Sequence, residues 1–104
     1  MRIVFRQSGG LLGTSRECDT ANLATPLVRE AEKLLMRAGI HGSFDQISKE
    51  ARDATRYELT ITDGNKTTRI VTDDATVSSQ LLPLIEFLRE HSRSVPLKKG
   101  GARD

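Results

Sequence analysis

The stretch 56–62 constrains the fold more than any other part of the chain, because apolar and polar residues alternate along it. Tyr57, Leu59 and Ile61 fall on one side of an extended backbone, and charged or threonine side chains fall on the other. This period of two predicts a β-strand with one face on a core and the other face toward solvent.

The segment Asp63-Gly64-Asn65 directly follows that strand. Asp, Gly and Asn all tolerate left-handed backbone, so the segment is typical of a hairpin turn. Ile70 and Val71 are the apolar residues of the next stretch, 67–72, which we predict as the partner strand. The two strands would form one antiparallel hairpin.

A second hairpin is predicted at the start of the chain. Ile3 and Phe5 lie on one face of the stretch 2–7, and Ser8-Gly9-Gly10 then breaks the strand because paired glycines permit positive φ. The stretch 14–20 is polar but rich in β-compatible residues, and it would pair with the first strand. Cys18, within it, is expected to be a partly buried strand cysteine.

Two helices are predicted from apolar residues at helical spacing. The first helix would have Thr25 as its N-cap and Pro26 in its first turn, and it would stop at Gly39. The second would begin near Ser79, because Pro83 fits only a first turn or a kink, and would run to about residue 91. The apolar stripes are Leu27, Val28, Ala31, Leu34, Leu35 and Ala38 in the first helix and Leu81, Leu82, Leu84, Ile85 and Leu88 in the second.

The predicted order is ββαββα, which gives an α+β fold in two layers. The sheet would be mainly antiparallel, with about four strands in two hairpins, and two helices would pack on it. The stretch 40–55 has no clean period and is predicted as a loop, with at most a single turn through Ile47. We expect one domain over residues 1–92 and a disordered tail over 93–104, which contains Pro96 and a glycine pair.

Charge and apolar content exclude several classes of protein. The net charge is only +2 over 104 residues, and the basic residues are interleaved with acids, whereas nucleic-acid binders cluster theirs on one face. No apolar run is long enough for a signal peptide or a membrane span. Cys18 is the single cysteine, so no internal disulfide can form. We therefore expect a cytoplasmic monomer, with export by a signal-independent route left open.

No set of residues typical of catalysis is present. His41, His91 and Cys18 are far apart in sequence and lack the spacing of zinc ligands, and Cys18 has no histidine base nearby. The pair Asp73-Asp74 falls where a strand gives way to a helix, which favours helix capping. The pattern predicts a binding protein with no cofactor and no metal of its own.

The segment Ser8-Gly9-Gly10-Leu11-Leu12-Gly13 stands out because turn tips are normally polar and this one carries two leucines. In one interpretation, one leucine packs inward and the other has no role. In the other, both are exposed and fill a pocket on a partner, as apolar interface anchors do.

The opening stretch 1–10, followed by an apolar pair and Gly13, resembles the emfourin-like family of small bacterial inhibitors of protealysin-like metalloproteases, which belong to the thermolysin family. The resemblance continues through Asp19-Thr20, through Asp53 with the strand 57–61, and through Asp73-Asp74 into the second helix. It spans about residues 1–91. The family often carries an aromatic residue where this chain has Leu11, which bears on target preference.

The resemblance implies that two neighbouring loops enter the protease cleft. Leu11 and Leu12 would offer apolar side chains, and an aspartate would bind the catalytic zinc in place of its water. Asp63, supported by the turn residues Gly64 and Asn65, qualifies if both hairpin tips lie at the same end of the sheet. Asp19, just past the second strand, is the alternative.

Two other functions remain as alternatives. The chain would act as a non-catalytic interaction or regulatory module if its partner is not a protease. Binding of nucleic acid through the basic tail 93–103 ranks last, because no basic face with aromatic residues accompanies it.

Overall fold

A computed structural model describes residues 1–9, 15–47 and 54–95 of the chain. Within these ranges the chain forms six strands, two α-helices and a short 3₁₀ helix, Thr20–Asn22. The strands are β1 (Arg2–Gly9), β2 (Arg16–Asp19), β3 (Phe44–Gln46), β4 (Thr55–Asp63), β5 (Lys66–Asp73) and β6 (Arg93–Ser94), and the helices are α1 (Thr25–Ala38) and α2 (Leu82–Glu90).

The six strands form a single mixed sheet in the order β3-β5-β4-β1-β2-β6. All neighbours are antiparallel except β3 and β5, which are parallel. The α+β class, the two helices and both predicted hairpin pairings are confirmed. The prediction of about four strands in the order ββαββα is not matched in detail, because two short edge strands extend the mainly antiparallel sheet and one of them is parallel to its neighbour.

The short edge strands explain why the predicted strand count was too low. β3 has three exposed residues, Phe44–Gln46, inside the stretch predicted as a loop, so it carries no alternation of buried and exposed positions. β6 has only two residues, and it pairs with β2 beyond the boundary predicted at residue 92. Residues 96–104 of the predicted tail lie outside the described ranges.

One face of the sheet forms the core with both helices. Ile3 and Phe5 of β1 and Leu59 of β4 are essentially inaccessible to solvent. Burying side chains of this size contributes about 1.5–3 kcal/mol each, so the alternation seen in sequence is the main energetic basis of the sheet. The helices add the buried residues Ala31, Leu35 and Ala38 from α1 and Leu84, Ile85 and Leu88 from α2.

The helix ends follow the sequence with two corrections, because α1 has a different N-cap and α2 begins at Leu82 rather than near Ser79. α1 ends at Gly39, which adopts a left-handed conformation with φ 65° and donates its amide to the Met36 carbonyl. Ala24, rather than the predicted Thr25, is the N-cap, and no side chain caps this end. Pro26 is tolerated there because first-turn amides have no partner within the helix. Pro83 lies in the first turn of α2 for the same reason.

The opposite face of the sheet is polar and carries ion pairs between neighbouring strands. One joins Arg6 to Glu17 at 3.2 Å between β1 and β2, and another joins Arg69 to Glu58 at 2.8 Å between β5 and β4. Each of the four side chains is between 29% and 63% exposed, so each pair adds little net stability. These charged side chains favour exposure of this face of the sheet to solvent.

Candidate functional site

The strand register gives the sheet two distinct ends. We call the first the loop end: there Gly9 pairs with Thr55, and Arg56 pairs with Asp73. We call the second the turn end: there β4 and β5 meet at the hairpin turn after Asp63. Because β1 and β4 are antiparallel, the chain leaves β1 at the end opposite to that turn.

The predicted loop Ser8-Gly9-Gly10-Leu11-Leu12-Gly13 starts from the loop end. Ser8 and Gly9 are the last residues of β1. Residues 10–14 lie outside the described ranges, so the exposure of Leu11 and Leu12 stays a prediction. The chain is described again from Ser15, which precedes β2.

Gly9 shows a physical reason for the glycine in this motif. Its φ of +87° lies in a region that residues with a Cβ rarely adopt. A Cβ built there would also lie 3.3 Å from the Ala54 carbonyl oxygen, which is tighter than an ordinary van der Waals contact. Both features favour glycine where the chain leaves the sheet.

Ser15 lies where the chain returns to the sheet, and it is bonded to the residue that follows β6. The Val95 amide donates to the Ser15 carbonyl at 2.9 Å. Arg16, the next residue, donates to Ser92 and Ser94. The residues on both sides of the predicted loop are therefore fixed by contacts with the sheet and its edge.

Asp73 organises a tight turn at the loop end. It is 2% exposed, and its Oδ1 accepts the amides of Ala75 at 3.1 Å and Thr76 at 2.9 Å. The predicted role of Asp73-Asp74 as helix caps needs correction, because this turn precedes α2, which begins only at Leu82. The two amide hydrogen bonds that its carboxylate accepts explain why an aspartate stands at position 73.

Asp74 is an exposed carboxylate that the structure holds at the loop end. Its amide donates to the Thr55 carbonyl at 3.0 Å, and Thr55 is the register partner of Gly9. Only a capping role was predicted for Asp74 from the sequence, because strand order was needed to bring it to the end of the sheet from which the segment after Gly9 starts. Asp53, one of the residues that carry the resemblance to the emfourin-like family, lies outside the described ranges.

Asp63 lies in the hairpin at the turn end. Gly64 follows with φ +62°, and Asp63 pairs with Lys66. β4 separates Asp63 from Thr55 by roughly 26 Å at about 3.3 Å per residue. The condition set for Asp63, that both hairpin tips share one end of the sheet, is therefore not met.

Asp19 is already engaged within the chain. Its Oδ1 accepts Arg2 Nε at 3.0 Å and the Ala21 amide at 2.9 Å, and its Oδ2 is ion-paired with Arg2. The hydrogen bond from Arg2 lowers the pKa of Asp19 below its usual value, with some opposition from burial. Asp19 lies roughly 10 Å along β2 from Arg16, away from the loop end.

Two further ionisable side chains, Cys18 and Tyr57, have pKa values above their usual ones. Burial, and secondarily Asp19, raises the pKa of the Cys18 thiol, so the thiol stays protonated near neutral pH. Burial also raises the pKa of Tyr57.

Among the described residues, no group of three or more His, Cys, Asp or Glu could hold a metal ion. Across the same ranges, no helix has the length and apolar character to span a membrane.

The described residues form an α+β domain in which one end of the sheet is closed by contacts between residues far apart in sequence. A family model described as Emfourin matches residues 5–89. The chain therefore belongs to the Emfourin family, a family of non-enzymatic protease inhibitors. Neither the comparison with curated proteins nor that with solved structures found a match.

Proposed function

We propose that this protein inhibits zinc metalloproteases of the thermolysin family, of the protealysin-like kind, by placing its loop end in the active-site cleft. Family membership supports the class of target. The observation that carries the proposal is the construction of the loop end, where the chain leaves the sheet at a glycine with φ +87° and returns at Ser15, tied to Val95. Binding segments work best when a rigid scaffold positions them.

The chemistry of the target explains how such a surface would inhibit. A catalytic zinc keeps one coordination position open for water, beside which lies an apolar pocket for a substrate side chain. Leu11 or Leu12 would fill that pocket as an apolar anchor, with Ser8, Gly9, Gly10 and Gly13 shaping the segment around them. If no peptide carbonyl of the inhibitor reaches the attack position, the segment blocks the cleft without being cleaved.

The proposal also needs a carboxylate near the apolar segment to replace the zinc-bound water. The strand register favours Asp74 over Asp63 and Asp19, because Asp74 is exposed and bonded to Thr55 at the loop end. Asp19 is held by Arg2, and Asp63 lies at the other end of β4. A carboxylate oxygen at about 2.0–2.2 Å from zinc would displace the water that hydrolysis requires.

The test is inhibition of a purified thermolysin-family protease by the purified protein. The double variant Leu11→Ala with Leu12→Ala should raise the inhibition constant about 100-fold, since truncating central apolar anchors commonly costs 2 kcal/mol or more. Asp63→Asn, at the turn end, is the matched control and should change it less than about two-fold.

Three outcomes separate the possibilities. Loss of inhibition in the leucine variant with retention in the control supports the proposal. Full potency of the leucine variant refutes the role of the segment. Failure of the wild-type protein to inhibit any such protease refutes the function and favours the alternative, a non-catalytic interaction module with a different partner.

A further inference from the structure

All three guanidinium nitrogens of Arg16, in β2, donate hydrogen bonds. Its Nε donates to Ser92 Oγ at 2.7 Å, its Nη2 donates to the Ser92 carbonyl at 2.9 Å, and its Nη1 donates to Ser94 Oγ at 3.3 Å. The side chain is half-buried, and so is Ser92. One guanidinium thus holds the segment that follows α2.

These contacts tie the start of β2 to the C-terminal end of a helix. Ser92 Oγ donates to the carbonyl of Arg89, in the last turn of α2, and the Ser92 amide donates to the same carbonyl at 3.1 Å. A cation beside the last carbonyls of a helix is favoured by the helix dipole. Hydrogen bonds from a charged donor are also stronger than neutral ones. The tie is therefore well suited to fix geometry.

What Arg16 fixes is the point at which the chain re-enters the sheet. Arg16 pairs with Gln7 on one side and with Ser94 on the other, so it lies between β1 and β6. Ser15, immediately before it, accepts the Val95 amide. Without the guanidinium, this corner would keep its backbone contacts, namely the pairing of β2 with β1, the two-residue pairing with β6 and the bond from Val95, but no side-chain bond to the end of α2.

We propose that Arg16 is a positioning residue of the inhibitory surface: by holding Ser92 it fixes Ser15 and the start of β2 at the loop end. This inference rests on the proposed inhibitory function. Arg16 itself need not touch the protease. Its contribution comes through pre-organisation, because a surface whose residues already have fixed positions loses less entropy on binding.

A purely structural role for Arg16 would have a different signature. It would lower the stability of the whole domain, and affinity would change only as far as the folded fraction changes. A positioning role changes affinity in fully folded protein. Arg6→Lys is the matched control, since Arg6 lies on the neighbouring strand, contacts Glu17 on the polar face and has no contact with Ser92.

The first experiment does not depend on any protease. Amide hydrogen exchange is measured for wild type, Arg16→Gln, Arg16→Lys, Ser92→Ala and Arg6→Lys under conditions where all are folded. In Arg16→Gln the amide of Val95, which donates to the Ser15 carbonyl, should exchange about ten-fold faster, while those of Phe5 and Leu59 in the core stay unchanged. Uniform acceleration across the core, or none at Val95, would overturn the proposal.

The second experiment measures inhibition by the same variants. Arg16→Gln should raise the inhibition constant about ten-fold, mainly through faster dissociation. Arg16→Lys keeps the charge but cannot form the forked contact, so it should fall between wild type and Arg16→Gln. Ser92→Ala should also weaken inhibition, and Arg6→Lys should leave it unchanged.

The outcomes keep this inference separate from the proposed function. If wild type inhibits and the Arg16 variants inhibit equally well while folded, the positioning role is refuted and the proposed function stands. If wild type does not inhibit, the proposed function fails, and the exchange of the Val95 amide alone still decides whether Arg16 fixes this corner. Equal loss in Arg6→Lys, which keeps the charge and does not alter the contacts with Ser92, would show that the effect is not specific to Arg16 and would also refute the inference.

Discussion

The two ends of the sheet are built in different ways. The turn end is closed locally, because β4 and β5 are joined by the two residues Gly64 and Asn65 between Asp63 and Lys66. The loop end is closed by contacts between residues far apart in sequence. Val95 bonds Ser15, Asp74 bonds Thr55, and the Thr76 hydroxyl contacts the Gln46 carbonyl at 2.7 Å.

The construction of each end bears on where a binding surface can be expected in such a domain. A local hairpin turn is determined by its own residues and projects into solvent whatever its surroundings. A surface assembled from several strands is held by the whole fold, so its parts keep fixed positions relative to each other. Substitutions at the two ends should therefore differ in their effects on stability and on inhibition.

Asp73→Ala should destabilise the protein by about 3 kcal/mol, because it removes a buried carboxylate that accepts the amides of Ala75 and Thr76 and the Thr76 hydroxyl. Urea unfolding followed by circular dichroism measures the loss. Asp63→Ala, in the exposed turn, is the control and should stay within about 0.5 kcal/mol of wild type. Similar losses in both variants would remove the energetic contrast between the ends.

Gly9→Ala should cost about 2 kcal/mol, since it combines a disfavoured φ of +87° with a close approach to the Ala54 carbonyl. Gly64→Ala has a comparable φ of +62° but no atom within 4 Å of the added Cβ, so it should cost about 1 kcal/mol. Thermal and urea unfolding of both variants measure the difference. A larger loss for Gly64→Ala would contradict the close approach at the loop end.

Asp74→Asn should raise the inhibition constant about ten-fold or more without changing stability, because an amide is a poorer zinc ligand than a carboxylate. Asp63→Asn is again the control. If Asp63→Asn weakens inhibition and Asp74→Asn does not, the carboxylate that reaches the target lies at the turn end, and the assignment of Asp74 is refuted.

The Arg2–Asp19 pair predicts a small dependence of stability on pH. Arg2 lowers the pKa of Asp19 in the folded state, so the contribution is fully present above the unfolded pKa of about 3.9 and is lost as the pH falls through the lower folded pKa. Wild type should therefore lose more stability than Asp19→Asn between pH values just above about 4 and those below the folded pKa. Parallel urea titrations would check this, and equal losses would contradict it.

The parts of the fold that carry a repeating pattern of apolar residues could be predicted from the sequence. The alternation in 56–62 predicted β4, and the apolar stripe after Pro26 predicted α1 up to Gly39. β3 and β6 have three and two residues, too few for any period to appear. The register, which decides that Asp63 is remote from Gly9, depends on strand order and could not be read from local patterns.

The candidate site was predictable only in part. Paired glycines beside two leucines led to the prediction of a binding segment, which stays a prediction, whereas the resemblance to the family is confirmed over residues 5–89. The contact between Arg16 and Ser92 joins residues 76 positions apart, for which the sequence carries no local signal. Asp74 appeared only as a capping residue until the sheet brought it beside Thr55.

Amide hydrogen exchange of this protein in complex with a metalloprotease shows directly which end of the sheet meets the enzyme. Exchange should slow at Gly9, Ser15, Arg16 and Asp74, with no change from Asp63 to Lys66. Protection concentrated at the turn end, with the loop end exchanging as in the free protein, would contradict binding through the loop end.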